Sequence, residues 1–309
     1  METPWGSLPV SDAHTHFFSR PFFAALAKQR GVSVEALGEL LNWRIPADDA
    51  GHLAAEWIAE LDRHGVDRAV LIASIPGDQA SVVTAAAQFP NRFYSYAMVD
   101  PTAEGAAAAA RTALAGGGLN GICFFPAMHR YSMHDERVAP LLEAAAEHHA
   151  AVFAHCGVLS VGVRRKLGLP SHFDMRYSNP IDLHAVALRY PQIRFVIPHF
   201  GAGYFREALM VCDLCPNVYL DTSSSNSWIR YEPHLDLRAV FRRALDVVGA
   251  SRLLFGSDSS FFPRGWHAVI FDAQAKALYE LGVDEDAARL IFHDNLDNFF
   301  VREQPASSD

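Results

Sequence analysis

The chain has 309 residues, half of them hydrophobic and one fifth charged, a composition that can bury a substantial core and is unlike that of a disordered chain. A net charge of -9 and the lack of any long Lys/Arg run argue against an electrostatic nucleic-acid binder. No apolar run reaches about 18 residues and no basic segment leads into an apolar core at the N-terminus, so a cytoplasmic protein without a membrane span is expected.

In chain order, Leu8 to Val10 opens a first strand that ends in Asp12-Ala13-His14-Thr15-His16. Residues two apart in an extended segment project to the same side, so His14 and His16 aim two imidazoles at one point, which is half of a metal site. Pro21 to Arg30 and Val34 to Trp43 read as helical pieces inserted over the mouth of the fold. Asp49 to His64 is a stronger helix, with Leu53, Trp57, Ile58 and Leu61 at helical spacing and Gly65 as its stop. Arg68 to Ala73 is a strand apolar on both faces, as in a parallel sheet covered by helices. The alternation continues through helix Gln79 to Gln88, strand Arg92 to Val99, helix Glu104 to Ala115, strand Asn120 to Phe125 and helix Asp135 to His149. Strand Ala151 to Ala154 runs into His155, followed by a long loop, Cys156 to Pro180. Then come helix Ile181 to Tyr190, strand Ile193 to Pro198 leading into His199, helix Gly203 to Leu214, strand Asn217 to Asp221 and helix Leu237 to Val248. The last strand, Arg252 to Phe255, leads into Gly256-Ser257-Asp258, and helices His267 to Leu281 and Glu285 to Phe300 close the chain.

Eight strands, nearly all followed by a helix, predict a (β/α)8 TIM barrel with right-handed crossovers. The expectation is one α/β domain over residues 1–302, with a helical insertion after strand 1, extra C-terminal helices and a disordered tail at 303–309. A doubly wound open sheet would normally carry a glycine-rich phosphate turn after its first strand, where this chain has two histidines. Cys212-Asp213-Leu214-Cys215 is a single CxxC late in a predicted helix, with no second pair, and is read as structural.

In such a barrel, side chains at the C-terminal strand ends converge on one mouth. Those ends carry His14, His16, His155, His199 and Asp258, and four of them suffice for a metal shell. Imidazole nitrogen and carboxylate oxygen suit Zn2+, with a position left for water or substrate. The bland reading makes His155 and His199 core histidines satisfied locally, and Asp258 a helix N-cap. Five matching positions at four strand ends favour the site.

The strand-1 DAHTH, the VFAHCG of strand 5, the IPHFGAG of strand 6 and the LLFGSD of strand 8 resemble the amidohydrolase superfamily. The likeness is to its amidohydrolase-related (amidohydrolase 2) branch, which includes the aminocarboxymuconate-semialdehyde decarboxylase-like enzymes, and extends to the closing IFHDNLDNFF with Asn295. The resemblance implies that His14, His16, His155 and Asp258 bind one divalent metal ion, Zn2+ first and Mn2+ as the alternative. It implies that His199 stands beside the metal as an acid/base or polariser, with Asp258 also handling a proton. Strand 4 lacks the Lys that bridges binuclear members, which favours a mononuclear site; Cys123 is read as a small buried residue.

Loops at the predicted mouth hold aromatics and cations, among them Phe18, Phe261, Arg164 and Arg264, a set that suits a flat or cyclic carboxylate. Phe17, Arg130, Arg176 and Trp228 are the expected substrate contacts. The leading function is hydrolysis of a small carboxylate-bearing lactone, ester or amide through a metal-activated water. The alternative is non-oxidative decarboxylation of an aromatic or muconate-like acid, and the minor one a binding protein without catalysis. The resemblance also suggests a homodimer.

Overall fold

The computed structural model describes residues 1–223 and 228–300; the expected tail at 303–309 lies outside them. Eight parallel strands form one sheet in sequence order: β1 Ser11–Phe17, β2 Arg68–Ala73, β3 Phe93–Val99, β4 Gly121–Phe124, β5 Ala151–Ala154, β6 Phe195–Ile197, β7 Val218–Asp221 and β8 Leu253–Leu254. Each strand pairs with the next. The ring closes through the segment after β8: Ala13 N–H donates to Phe255 O at 2.7 Å, Asp258 N–H to His14 O at 2.9 Å and His16 N–H to Ser259 O at 2.7 Å. Thr15 and Ser259 complete a parallel bridge there.

Alternation along each strand separates two cores. Ala13, Val70, Ile72, Met98, Cys123, Phe153 and Val196 pack together inside the barrel. Ala69, Leu71, Ile122, Val152 and Ile197 face the surrounding helices in a larger cluster with Trp57, Leu141 and Phe241. Both faces are thus dry, which is why the strands read as continuous apolar runs. Leu296 and Phe299 join the inner core, Phe300 stacks on Tyr94, and Asp297 pairs with Arg68 at the start of β2. The final helix, Asn295–Phe300, therefore closes the end of the barrel opposite the strand C-termini.

The insertion after β1 is helical as expected, with helices Arg20–Arg30 and Val34–Leu41 before Ala50–His64. Its apolar face packs against the short helix Gly162–Lys166 after β5, where Phe22, Phe23, Leu26, Leu37 and Leu41 meet Val163 and Leu167. That cluster roofs one side of the barrel mouth.

Some boundaries differ from the sequence reading. The helix expected from Asp135 begins at Ala139, because Asp135 folds back to accept from Arg137, and Pro140 fits the first turn, where its missing N–H costs nothing. The last helix expected from Glu285 is broken into Glu285–Arg289, a π-helical turn Leu290–Asp294 and Asn295–Phe300. Short helices at Pro126–His129 and Gly162–Lys166 were not expected. Cys212 and Cys215 are buried free thiols at the end of helix Phe205–Leu214, in keeping with a structural role.

Candidate metal centre

The C-terminal strand ends line a cavity of about 1360 Å³ that includes His14, His16, His155, His199 and Asp258. His14 and His16 leave β1 on the same side, with Nε2 atoms 3.4 Å apart. Asp258 Oδ1 lies 3.6 Å from His14 Nε2 and 3.3 Å from His16 Nε2. Donor atoms of His14, His199 and Asp258 all fall within 4.8 Å of one another. His155 neighbours His199, with ring centroids 5.4 Å apart, and stacks on Phe125 at 5.3 Å.

Hydrogen bonds on the far sides of the rings set their tautomers. His14 Nδ1 donates to Asp221 Oδ2 at 2.5 Å, and Asp221 is fully buried at the end of β7. His16 Nδ1 donates to Ser74 Oγ at 2.8 Å, since that hydroxyl spends its own proton on Ile72 O. With both rings neutral, the two Nε2 atoms turn lone pairs toward each other and toward the Asp258 carboxylate. Three such acceptors repel unless a positive charge, a proton or a metal ion, sits between them.

A tetrahedral ion with bonds of about 2.0–2.2 Å separates its ligand atoms by roughly 3.3–3.6 Å, the spacing seen here. The donor set fits a divalent ion such as Zn2+ or Mn2+. His155 adds to the fit, because its Nδ1 is buried without a hydrogen-bond partner among the described residues. His199 is held from outside: its Nδ1 lies 2.8 Å from Ser223 Oγ and 3.2 Å from Ser223 O. A carbonyl can only accept, so Nδ1 carries the proton and Nε2 is left as a base or a ligand.

Without an ion, a proton on His14 supplies that positive charge. Burial pulls the His14 imidazole down, but Asp221 and Asp258 outweigh it and raise its pKa to about 9. Burial pushes the Asp258 carboxyl up, but His14 and His16 override this and hold it well below the usual carboxylate range. Asp221 is lowered in the same way by His14. His155 and His199 are both held below the ordinary histidine value, by burial first and by neighbouring imidazoles second. The site thus pairs ionised carboxylates with His155 and His199 kept neutral, the state in which imidazole binds metal.

Beneath the site, Asp12 ties β1 to the turn after β8. Its carboxylate accepts from His14 N at 2.9 Å, Ser257 N at 3.1 Å, Trp266 Nε1 at 2.8 Å and the Ser257 hydroxyl. Asp258 and His199 have φ of 56°, in the left-handed region that non-glycine residues avoid. Strain of this kind persists where surrounding bonds over-determine the backbone, and here it turns both side chains into the cavity.

The expected substrate contacts fare unevenly. Arg130 lines the cavity, but its guanidinium is committed to His172 O at 2.8 and 3.1 Å. Phe17 does not reach the cavity; it follows His16, so strand alternation turns it to the opposite face, where it is fully buried. Trp228 is buried against Phe205 in the outer core rather than lining the mouth. Arg176 points to solvent in an ion pair with Asp174, away from the cavity lining. Asp221, Ser74 and Ser223, which orient the three imidazoles, were not picked out from the sequence. Asp221 could have been, because it closes β7 at the same level as His155 and His199 close theirs.

Residues 11–295 match the family model described as Amidohydrolase. Over 143 residues the chain is 30% identical to Protein fluG of Emericella nidulans, a match covering 42% of this chain and 16% of that protein. The fold is similar to 5-carboxyvanillate decarboxylase from Sphingomonas paucimobilis, with a TM-score of 0.65 at 16% identity, covering 95% and 99% of the two chains. It is also similar to the 5-carboxyvanillate decarboxylase of Novosphingobium aromaticivorans complexed with manganese and 4-hydroxy-3-methoxy-5-nitrobenzoic acid (TM-score 0.62, 15% identity, 95% and 96% covered). A probable 2-pyrone-4,6-dicarboxylic acid hydrolase from Acinetobacter baumannii, with citric acid bound, gives 0.61 at 16% identity, covering 95% and 99%. A barrel whose strand ends bring imidazoles and a carboxylate together, matched by the model from β1 to the closing helix, places this chain in the amidohydrolase family, in its amidohydrolase 2 branch.

Proposed function

We propose that the protein is a metal-dependent hydrolase that opens a small carboxylate-bearing cyclic substrate, a lactone, ester or amide. The observation that carries this reading is the Asp258 carboxylate, held ionised within 3.3–3.6 Å of the His16 and His14 Nε2 atoms on the cavity wall. An ionised carboxylate so placed can take a proton from an attacking water. His14, His16, His155 and Asp258 would hold the ion, Zn2+ by preference, with His199 beside them. When bound, such an ion polarises a substrate carbonyl and brings a water's pKa down to about 7.

The chain's own groups do the rest. Asp221 and Ser74 fix the His14 and His16 rings. Ser223 fixes His199 with Nε2 facing inward, where it can polarise the carbonyl or carry a proton to the leaving oxygen. Phe125, Phe173 and Phe261 give the cavity flat apolar walls, and Arg130, Arg230 and Arg264 give it positive charge. Together these favour a planar acid.

Decarboxylation is the second reading, favoured by the structural likeness to 5-carboxyvanillate decarboxylases, one of them with manganese. Both reactions use the same residues. The test supplies metal-loaded protein with carboxylated pyrones and aromatic acids, including 2-pyrone-4,6-dicarboxylate and 5-carboxyvanillate, and follows ring absorbance, proton release and CO2. Ring opening with proton release and no CO2 is expected. CO2 as the sole product selects decarboxylation, and no turnover of any ring with metal bound defeats both.

A further inference from the structure

We infer that the cavity contains a second, apolar subsite, walled by Phe18, Trp43 and Phe261, that takes an aryl ring joined to the acid held at the metal centre, so that the preferred substrates are two-ring acids. The inference deepens the proposed function by naming the substrate class. It rests on that reading in one respect, that the acid end of the substrate enters at the metal centre. The cavity, at about 1360 Å³, exceeds the roughly 300–1,000 Å³ of most small-molecule sites. A single-ring acid beside the metal ligands leaves much of it unfilled, and the helical insertion supplies one wall of that remaining space.

The wall begins at the metal centre. The Phe18 ring lies 5.7 Å from the His16 imidazole. It stacks on Phe22 at 3.9 Å and 14° and lies near-parallel to Trp43 at 6.3 Å and 24°, and Trp43 stacks on Phe261 at 3.8 Å and 10°. The end of β1, the segment after helix Val34–Leu41 and the loop after β8 thus bring near-parallel rings together from three places in the chain. Phe18, Trp43 and Phe261 all line the cavity and are half-buried, whereas Phe22 and Leu26 are buried with Val163 in the roof cluster. Aromatic surface left open toward a cavity is apolar area available to a ligand. The polar groups on this side are already engaged, Ser74 by His16, Gln29 by Arg164 and Ser260 by Arg264. The exposed Lys166 reaches over the far rings, its Nζ 5.2 Å from the Trp43 centroid and 6.0 Å from that of Phe261. Between His16 and Lys166 the wall therefore offers flat apolar surface, which a second ring matches in edge or offset contact.

The test uses the full-length, metal-loaded protein and calorimetric titration with benzoate and with biphenyl-3-carboxylate, which carries one further ring. Wild type is expected to bind the biphenyl acid at least about tenfold more tightly than benzoate, the gain expected when an aryl face leaves water. Excess benzoate should displace the biphenyl acid, since both place their carboxylate at the same centre. In W43A the ratio falls to near one while benzoate affinity and metal content stay at the wild-type level. F261L keeps apolar volume, loses the flat ring and should lower the ratio by about threefold; it decides the question if W43A does not fold. A wild-type ratio near one, biphenyl binding that excess benzoate leaves in place, or a folded variant that keeps the full ratio overturns the inference, as does failure of both acids to bind. Failure of turnover with the binding ratio intact refutes the hydrolase and decarboxylase readings but leaves the apolar subsite standing; turnover of single-ring acids with a ratio near one does the reverse.

Discussion

Replacing Asp221 by Asn tests the tautomer argument with almost no change of size. Asp221 Oδ1 accepts from Ser223 N at 2.7 Å while Oδ2 accepts from His14 Nδ1 at 2.5 Å. In D221N the backbone N–H of Ser223 demands the amide oxygen, which turns the amide NH2 toward His14. The imidazole must then accept at Nδ1 and carry its proton on Nε2, the atom that faces His16 and Asp258. Outer partners of metal-bound imidazoles are worth about 10–100-fold in metal affinity, roughly 1.4–2.8 kcal/mol at 1.4 kcal/mol per factor of ten. Because the substitution reverses the ring's proton rather than merely removing a support, the upper end is expected. Competition between the protein and a chromogenic chelator for Zn2+ or Mn2+, near neutral pH, measures it, with circular dichroism confirming the fold. A D221N affinity within about threefold of wild type, well short of the expected range, would refute the reasoning and remove Asp221 from the site.

His199→Ala is expected to keep about one metal per chain and lose at least about 100-fold in turnover, the scale of a lost acid/base, whereas His155→Ala should fail to retain metal; a metal-free H199A protein moves His199 into the ligand set. Gly157→Ala should destabilise the fold by about 2–4 kcal/mol, read by denaturant unfolding. Gly157 has φ of 77° and a Cβ there would stand 2.2 Å from Gly201 O and 2.3 Å from Ala202 O, backbone that carries the His199 loop, so an unchanged midpoint would contradict that packing. Chelation should lower the unfolding temperature, and added metal should restore it in step with concentration, by about 4 kcal/mol at a thousand times Kd; a transition indifferent to metal would mean that the ion does not bind the folded chain.

Much of this was legible from residue order. Strand runs such as Arg68 to Ala73 are apolar on both faces, so the barrel follows from local pattern and count. His14, His16, His155, His199 and Asp258 all end or follow strands, and a barrel brings strand ends together. What escaped depends on direction rather than position. Phe17 was assigned to the mouth by its neighbourhood, though the alternation that pairs His14 with His16 sends it the other way. Trp228 and Arg176 sit in loops after strands, yet one is drawn into the core beside Phe205 and the other is captured by Asp174 two residues away. The Trp43–Phe261 stack and the Asp221–His14 pair depend on contacts between residues far apart in sequence, which periodicity does not report.

The seam of the barrel has a consequence for how the ion is acquired. His14 and His16 are synthesised well before Asp258 and the Ser257 turn that Asp12 grips. A nascent chain therefore offers two imidazoles but no completed cradle, and ion capture has to wait until the last stave has docked against the first. A cation bound there would work as a clasp across that joint, so metal uptake during refolding should trail formation of the ring and slow its reopening.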